Sequence, residues 1–115
     1  MLFPPITVVE TTTFKNDADS MLSEEERLEL ISFLACNPES GKVMTGTGGV
    51  RKVRWARENE GKSGGYRVIF YFHNEDVPLF ALLIYPKNEK DSLTKGEKNE
   101  LKKLVDILVN QYKKE

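Results

Sequence analysis

The sequence predicts a small α+β domain in which helices pack against a mostly antiparallel sheet of about four strands. Three observations predict it: two capping boxes with helical spacing after them, two neighbouring runs with strand alternation, and one uninterrupted apolar run. At 115 residues the chain is long enough for one hydrophobic core and too short for two. We therefore expect a single domain over residues 1–115.

Capping boxes mark the start of both predicted helices. Ser23 with Glu26 makes the first box, and Asn37-Pro38 ends the helix that follows it. Thr94 with Glu97 makes the second box. After each box the apolar residues keep helical spacing. These residues are Leu28, Ile31, Leu34 and Ala35 in the first helix, and Leu101, Leu104, Val105, Leu108, Val109 and Tyr112 in the second.

The predicted strands differ in how far each is covered. Residues 6–10 form a short β-branched run that is followed by turn and cap residues at 11–13. Residues 77–85 are apolar on both alternations, which is typical of a central strand covered on both faces. Residues 50–57 and 66–73 are each mixed on at least one face. In residues 66–73 the apolar face is Tyr66, Val68, Phe70 and Phe72, and the mixed face is Arg67, Ile69, Tyr71 and His73.

Positive charge is concentrated on the predicted hairpin. Residues 42–73 hold seven Lys or Arg against two acids, a local balance of +5, so that the rest of the chain carries −6 within a total of −1. A nearly neutral protein with such a patch presents a surface suited to a polyanion. A solvated strand face without function explains the same charge pattern equally well. The sequence pI of about 5.9 argues against non-specific coating of nucleic acid.

Composition makes a metal cofactor unexpected. The chain has one cysteine, Cys36, and one histidine, His73, which leaves neither a disulfide nor a His- or Cys-rich metal site. We expect Cys36 to be a small buried thiol at a helix end, and His73 to be a surface residue. No apolar run approaches the roughly 18 residues of a membrane span, and the prolines at residues 4–5 interrupt the apolar N-terminus. We therefore expect a cytoplasmic protein without a membrane partner.

Three blocks of sequence resemble a known family. They read GTGGVRKVR at 46–54, GGYRVIFYF at 64–72 and IYPKNEK at 84–90. Together they resemble the RelE/HigB group of type II toxin-antitoxin toxins, and most closely its HigB-like branch, over about residues 22–110. The resemblance implies a RelE-like fold and ribosome-dependent cleavage of mRNA. It also implies a cognate helix-turn-helix antitoxin, through which alone the toxin would contact operator DNA.

RNA cleavage without a metal places specific demands on the side chains. The substrate 2′-OH attacks the adjacent phosphate, so a site must polarise that hydroxyl, stabilise the phosphate charge and protonate the leaving oxygen. The predicted catalytic residues are Arg67, Tyr85 and Lys87. The predicted RNA- or ribosome-binding residues are Arg51, Lys52, Arg54, Arg57, Lys62 and Lys90.

Two matters stay open at this point. Arg51 and Arg54 have opposite parity in their strand and cannot both face one phosphate, so one of them would hold ribosomal RNA instead. The second is the function itself, since a non-catalytic toxin of the same fold would inhibit a protein target such as a gyrase. Convergence of the three predicted catalytic residues in one place would favour cleavage.

Overall fold

The computed structural model describes residues 5–56, 65–89 and 92–113. It has the α+β architecture that the sequence predicts. The elements in chain order are β1 (Val8–Glu10), α1 (Thr12–Met21), α2 (Glu24–Cys36), β2 (Lys42–Val43), β3 (Arg51–Trp55), β4 (Tyr66–Tyr71), β5 (Leu79–Pro86) and α3 (Lys95–Lys113).

The strands form one sheet of five strands in the order β1-β5-β4-β3-β2. The β3–β4 and β4–β5 pairings are antiparallel, as predicted, and β2 pairs with β3 in the same way. Strand β1 pairs with β5 in parallel, so the sheet is mixed. The additional strand is β2, whose two residues are too few to show an alternation in the sequence. The apolar run is central, as predicted, because β5 lies between β1 and β4.

Helix α1 begins where the sequence analysis predicted turn and cap residues, at 11–13, and no helix was predicted over residues 14–21. Thr11 is its N-cap, and the Thr11 side chain accepts a hydrogen bond from the Phe14 backbone N–H at 3.2 Å. Only Phe14 and Ala18 of this helix are fully buried. These two positions, four residues apart, show a single helical period, which is too short a pattern to predict a helix.

Helix α2 begins at the predicted capping box, because Ser23 Oγ accepts from the Glu26 N–H at 3.1 Å and the Glu26 carboxylate accepts from the Ser23 N–H at 2.8 Å. One prediction about this helix is wrong, because Cys36 is exposed rather than buried: α2 ends there, and Cys36 lines a surface groove. Leu28 keeps the helical spacing but is 55% exposed, since α2 buries Leu30, which points about 200° away from Leu28 around the helix axis.

The sheet is covered by helices on both faces. Helices α1 and α2 bury one face, where Phe14, Leu30 and Leu34 pack with Val68 and Phe70 of β4. Helix α3 packs on the other face, where the buried residues include Val50, Ile69, Phe80, Leu101 and Val105. Strand β4 therefore contributes alternate residues to the two cores, as its period of two requires.

Helix α3 begins at the second predicted capping box. Thr94 Oγ1 accepts from the Glu97 N–H at 3.1 Å, and the Glu97 carboxylate accepts from the Thr94 N–H at 2.8 Å. At the other end of α3 the Tyr112 ring lies against Phe80, with ring centroids 5.5 Å apart. Within the described ranges, none of the helices combines the length and apolar character that crossing a bilayer requires.

A glycine-containing turn fixes the start of β3. The buried Thr47 hydroxyl donates to the Met44 carbonyl at 2.7 Å and accepts from the Val50 N–H at 3.0 Å. Gly49 has φ 110°, a left-handed conformation that favours glycine, and a Cβ there would make a tight contact of 3.3 Å with the Tyr71 ring. The turn thereby sets which residues of β3 share a face with Arg67.

Candidate active site

Three polar side chains form one row across the centre of the sheet. Arg54 of β3 is the cross-strand partner of Arg67 in β4, and Arg67 is the partner of Tyr85 in β5. Directly opposed residues in a sheet project to the same side, with Cβ atoms about 4.5–5.5 Å apart. The row therefore lies on the α3 side of the sheet, beside the core that contains Ile69 and Tyr85.

Two lysines lie next to this row. Lys52 pairs with Ile69 one step along the same face of β3, so it shares the side of Arg54 and Arg67. Lys87 follows β5 directly, and its backbone N–H donates to the Gly65 carbonyl at 3.1 Å, which continues the β4–β5 ladder by one step. Strand β4 and the end of β5 thus bring the predicted catalytic residues Arg67, Tyr85 and Lys87 to one end of the sheet.

A β-bulge separates this end of the sheet from the other. The pairing shifts between Ile69, which lies opposite Leu83, and Phe70, which lies opposite Ala81, so Leu82 is the extra residue of β5. Beyond the bulge β5 is apolar and covered. On the side of the bulge that holds Tyr85, the strand ends in a turn in which the Glu89 N–H donates to the Pro86 carbonyl at 3.2 Å. The site residues of β5 therefore lie between a bulge and a closed turn.

The row carries positive charge that no ion pair within the described part of the chain neutralises. Among the described residues, the ion pairs join only Arg27 with Asp19 at 3.0 Å and with Glu10 at 3.9 Å. The Arg67 Nη1 atom is buried and has no hydrogen-bond partner in the described part of the chain. Like charges directly opposite each other in a sheet are unfavourable, and a buried unpaired guanidinium N–H is costly. An anion bound between Arg54 and Arg67 would remove both costs.

Tyr85 is the most enclosed member of the row, at 9% exposure. Lys87 and Arg67 are half-buried, and Arg54 is exposed. Side-chain exposure therefore increases along the row, from the covered phenol of Tyr85 in the central strand to the exposed guanidinium of Arg54 nearer the edge. Such a gradient gives a ligand one exposed contact and several partly desolvated ones, where charge-assisted hydrogen bonds are stronger.

The remaining predicted binding residues lie elsewhere. Arg51 faces the opposite side of the sheet, where its Nη1 donates to the carbonyls of Glu39 at 2.9 Å and Ser40 at 3.5 Å. It cannot contact the same phosphate as Arg54. The predictions for Arg57, Lys62 and Lys90 concern positions outside the described residues.

A tyrosine–histidine pair on the same face lies away from the row and was not predicted as a pair. The Tyr71 hydroxyl lies 3.1 Å from His73 Nδ1, and His73 is exposed. Burial raises the pKa of Tyr71 above its usual value, and the carboxylate of Asp106 raises it further. Tyr71 is four residues from Arg67 along β4, about 14 Å at ~3.4 Å per residue, so this pair does not touch the row. The sequence predicts only that Tyr71 and His73 share a strand face with Arg67.

The described residues hold no cluster of three or more His, Cys, Asp or Glu side chains that could bind a metal ion. The side chains that converge are cations and a phenol. Such groups donate hydrogen bonds to phosphate oxygens and can donate a proton, and they are not metal ligands of the usual kinds.

The fold is similar to that of a known toxin. A structure of E. coli toxin RelE, solved as a double arginine-to-alanine mutant in the free state, superimposes with a TM-score of 0.54 at 15% sequence identity. The match covers 76% of this chain and 88% of that chain. At this identity the likeness establishes the fold. The chain therefore has the RelE fold, a small α+β domain with a mixed sheet and helices on both faces.

The sequence family is also defined. Residues 11–115 match the family described as RelE toxin of RelE / RelB toxin-antitoxin system. The match extends over most of the chain, and the chain belongs to this family of toxins. Membership implies an antitoxin partner and confirms the resemblance at the level of RelE toxins. Assignment to the HigB-like branch stays a prediction.

Proposed function

We propose that this chain is a ribosome-dependent mRNA endoribonuclease, the toxin of a type II toxin-antitoxin system that inhibits translation. The observation that carries the proposal is the row of Arg54, Arg67 and Tyr85, with Lys87 beside it and no neutralising carboxylate among the described residues. A scissile phosphate is the ligand that this arrangement suits best, because it is an anion with several acceptor oxygens.

In the proposed reaction the substrate 2′-oxygen attacks the adjacent phosphorus. The 2′-hydroxyl loses its proton, the bond from phosphorus to the 5′-oxygen breaks, and that oxygen takes up a proton. The products are a 2′,3′-cyclic phosphate and a 5′-hydroxyl end. Arg67 holds the phosphate and stabilises the charge that develops on it, because its Nη1 atom, which has no hydrogen-bond partner among the described residues, is already buried at that position.

Tyr85 and Lys87 approach the same phosphate from the end of β5 and carry the proton transfers. Lys52 and Arg54 hold the RNA strand on the same face of the sheet. On the opposite face Arg51 would contact ribosomal RNA instead of the scissile phosphate. Arg57, Lys62 and Lys90 would extend the same RNA-binding surface.

Dependence on the ribosome, which the family resemblance implies, is consistent with the chemistry of this set. Guanidinium, ammonium and phenol groups are protonated near neutral pH at their ordinary pKa values, so they are strong donors and weak bases. A site without a strong base gains most from precise alignment of the 2′-oxygen with the phosphorus and the leaving oxygen. The ribosome supplies that alignment by holding mRNA in one geometry.

The proposed partners are an antitoxin with a helix-turn-helix domain, the ribosome and mRNA, with operator DNA contacted only through the antitoxin. The proposed site of action is the cytoplasm. Expression of the chain without its antitoxin should halt translation and so arrest cell growth. Unchanged growth and translation under sustained expression would contradict the toxin function. Arrest with intact mRNA would favour the alternative, a toxin that inhibits a protein target such as a gyrase.

Cleavage is tested with purified chain, a defined mRNA and programmed ribosomes. We expect cuts within the ribosome-bound stretch that carry 5′-hydroxyl ends, and slow or no cleavage of the same mRNA in buffer. Fragments with 5′-phosphate ends would contradict attack by the 2′-oxygen. Rapid cleavage of naked mRNA would contradict ribosome dependence. An Arg67→Ala protein supplies the control for contaminating nucleases.

A further inference from the structure

A groove in the described part of the chain lies far from the basic row. It has a volume of about 950 Å³ and lies between the end of α2 and the segment that links β4 to β5. Phe72, one of its lining residues, is five residues beyond Arg67 along the chain, a separation of about 17 Å at ~3.4 Å per residue. Phe72 also packs with the α1 and α2 core, on the opposite face of the sheet from the row.

The groove is lined by apolar side chains and by exposed carboxylates, and we call these carboxylates its rim. Ile6 and Phe72 contribute apolar surface, and the exposed carboxylates of Glu39, Glu75 and Asp76 lie around it. The lining residues include no Lys or Arg. This is the reverse of the chemistry of the row, where cations gather and form no ion pair among the described residues.

We propose that this groove is a docking site for the antitoxin, and that it receives a segment with a large apolar side chain flanked by Lys or Arg. The proposal rests on the antitoxin partner of the proposed function. The volume of the groove suits a few side chains of a peptide rather than a whole domain surface. The apolar side chain would lie on Ile6 and Phe72, and the cations would pair with the rim carboxylates.

Charge separates this occupant from the other macromolecules that a toxin meets. Three carboxylates around the groove repel the phosphates of ribosomal RNA and mRNA, so neither is attracted there. A second copy of the chain would have to bring basic residues from another part of its surface into the groove, either the row or the exposed Lys102 and Lys103 of α3. That contact is head-to-tail, so it would close into a ring or extend into an open chain of subunits.

Docking at this groove leaves the row uncovered. Variants in the rim should therefore weaken antitoxin binding without changing cleavage by the isolated toxin, whereas Arg67→Ala should do the opposite. This independence also separates the two proposals. A chain that binds its antitoxin at the groove and cuts no mRNA overturns the proposed activity alone, and a chain that cuts mRNA but binds its antitoxin elsewhere overturns the groove alone.

Cys36 provides a direct readout, because it is the only cysteine of the sequence, is exposed and lines the groove. The probe is the purified product of the small reading frame adjacent to the gene for this chain, in complex with the toxin. We expect the alkylation rate of Cys36 to fall at least tenfold in the complex, measured by mass spectrometry of the toxin chain. The matched control is the double variant Cys36→Ser, Glu29→Cys, whose exposed thiol lies two turns back along α2 and should keep its rate.

Charge reversal tests the rim independently. Glu75→Lys with Asp76→Lys should weaken antitoxin binding at least tenfold, with the thermal midpoint and the cleavage rate on ribosomes unchanged. Glu25→Lys with Glu29→Lys makes the same change in net charge on the exposed side of α2 and should leave binding within twofold.

Three results would overturn the docking site: a stable complex in which Cys36 keeps its rate, equal losses in the two charge-reversed proteins, or protection of Cys36 that rises with toxin concentration in the absence of antitoxin. The last would identify a second copy as the occupant. If the adjacent product forms no complex at all, the partner in the proposed function is wrong and the groove proposal falls with it.

Discussion

The two faces of β4 differ, although both are formed by alternate residues of one six-residue strand. On the side of α1 and α2, Val68 and Phe70 are fully buried. On the side of α3, Ile69 is equally buried, but Arg67 two residues earlier is only half-buried and has a buried Nη1 without a hydrogen-bond partner in the described chain. The face toward α1 and α2 is a closed core. The face toward α3 is a core in the half that holds Ile69 and a charged surface in the half that holds Arg67.

The difference comes from the helices. The core under α3 is built from Leu101 and Val105, and the far end of the helix reaches Phe80 at the start of β5. The row at Arg67 lies toward the other end of β5, beside the turn that carries Lys87. A face that a helix covers only in part can combine a rigid support with an accessible set of cations, which is what a site for an anionic substrate requires.

The largest expected effect is on the closed face. Phe70→Ala removes a fully buried ring from the core under α1 and α2 and should lower the free energy of unfolding by about 3–5 kcal/mol. Urea denaturation followed by circular dichroism measures it. Val43→Ala, at a position that is 54% exposed on the edge strand, is the control and should change stability by less than about 0.5 kcal/mol. Comparable losses in the two proteins would contradict the burial assigned to Phe70.

On the open half of the other face, Arg67→Ala should change activity and leave stability largely intact. A donor aimed at charge that develops in the transition state typically contributes about 10²-fold to 10³-fold in rate, so cleavage on programmed ribosomes should fall by that factor. Stability should change by no more than about 0.5–1 kcal/mol, since no apolar core is opened and the repulsion with Arg54 is relieved.

Both quantities are measured on one preparation, by thermal denaturation and by mRNA cleavage. A folded Arg67→Ala protein with full activity would remove Arg67 from the site. An unfolded one would make Arg67 a structural residue.

Lys87→Ala tests the other side of the same phosphate. The backbone N–H bond from Lys87 to Gly65 at 3.1 Å does not need the side chain, so the turn after β5 should persist and the melting temperature should stay near that of the parent. Cleavage should fall by about 10²-fold. Gln at this position retains a hydrogen-bond donor without the charge, and recovery of most activity in Lys87→Gln would show that charge and proton donation are not what Lys87 supplies.

Local signals explain which parts of the fold could be predicted. Each capping box needs only two side chains three residues apart, and both boxes are present. The central position of β5 could be predicted because a strand that is buried on both faces has no polar alternation in its sequence. Helix α1 and the parallel pairing of β1 were not predicted, because each depends on contacts with distant parts of the chain, such as the Thr11 N–H bond to the Ala81 carbonyl at 3.1 Å.

The site shows the same division. Alternation alone predicted that Arg51 and Arg54 face different sides of the sheet, and the structure places them so. That Arg54, Arg67 and Tyr85 lie in one row depends on the register of three strands, which the turn at Thr47 and the bulge at Leu82 set. No window of the sequence contains that register. The acidic groove was missed for a related reason, since its residues come from three separate segments.

A smaller effect should separate the two arginines of β3. Arg54→Ala removes an exposed cation from the row and should reduce cleavage about tenfold while lowering the salt dependence of RNA binding by about one phosphate contact. Arg51→Ala removes hydrogen bonds to the Glu39 and Ser40 carbonyls and should lower the free energy of unfolding by about 0.5–1.5 kcal/mol. A larger loss of cleavage in Arg51→Ala than in Arg54→Ala would place the scissile phosphate on the other face.

The smallest effect concerns the covered half of the face that carries Arg67. Burial raises the pKa of Tyr71, and Asp106 adds to the rise, so the folded chain keeps the phenolic proton at a pH where the unfolded chain has begun to lose it. The folded state therefore binds more protons in that range. The stability linked to Tyr71 is present below the unfolded value of about 10 and is lost as pH rises through the folded value.

Thermal midpoints between pH 8 and pH 11 measure this linkage in the parent and in Tyr71→Phe. The parent should lose stability more steeply above about pH 10 than the variant, because phenylalanine has no proton to release. Tyr112→Phe is the control, since Tyr112 is 48% exposed and its removal should leave the slope of the parent unchanged. Parallel curves for the parent and Tyr71→Phe would mean that water reaches this half of the face as freely as it reaches Arg54, and that α3 does not shield it.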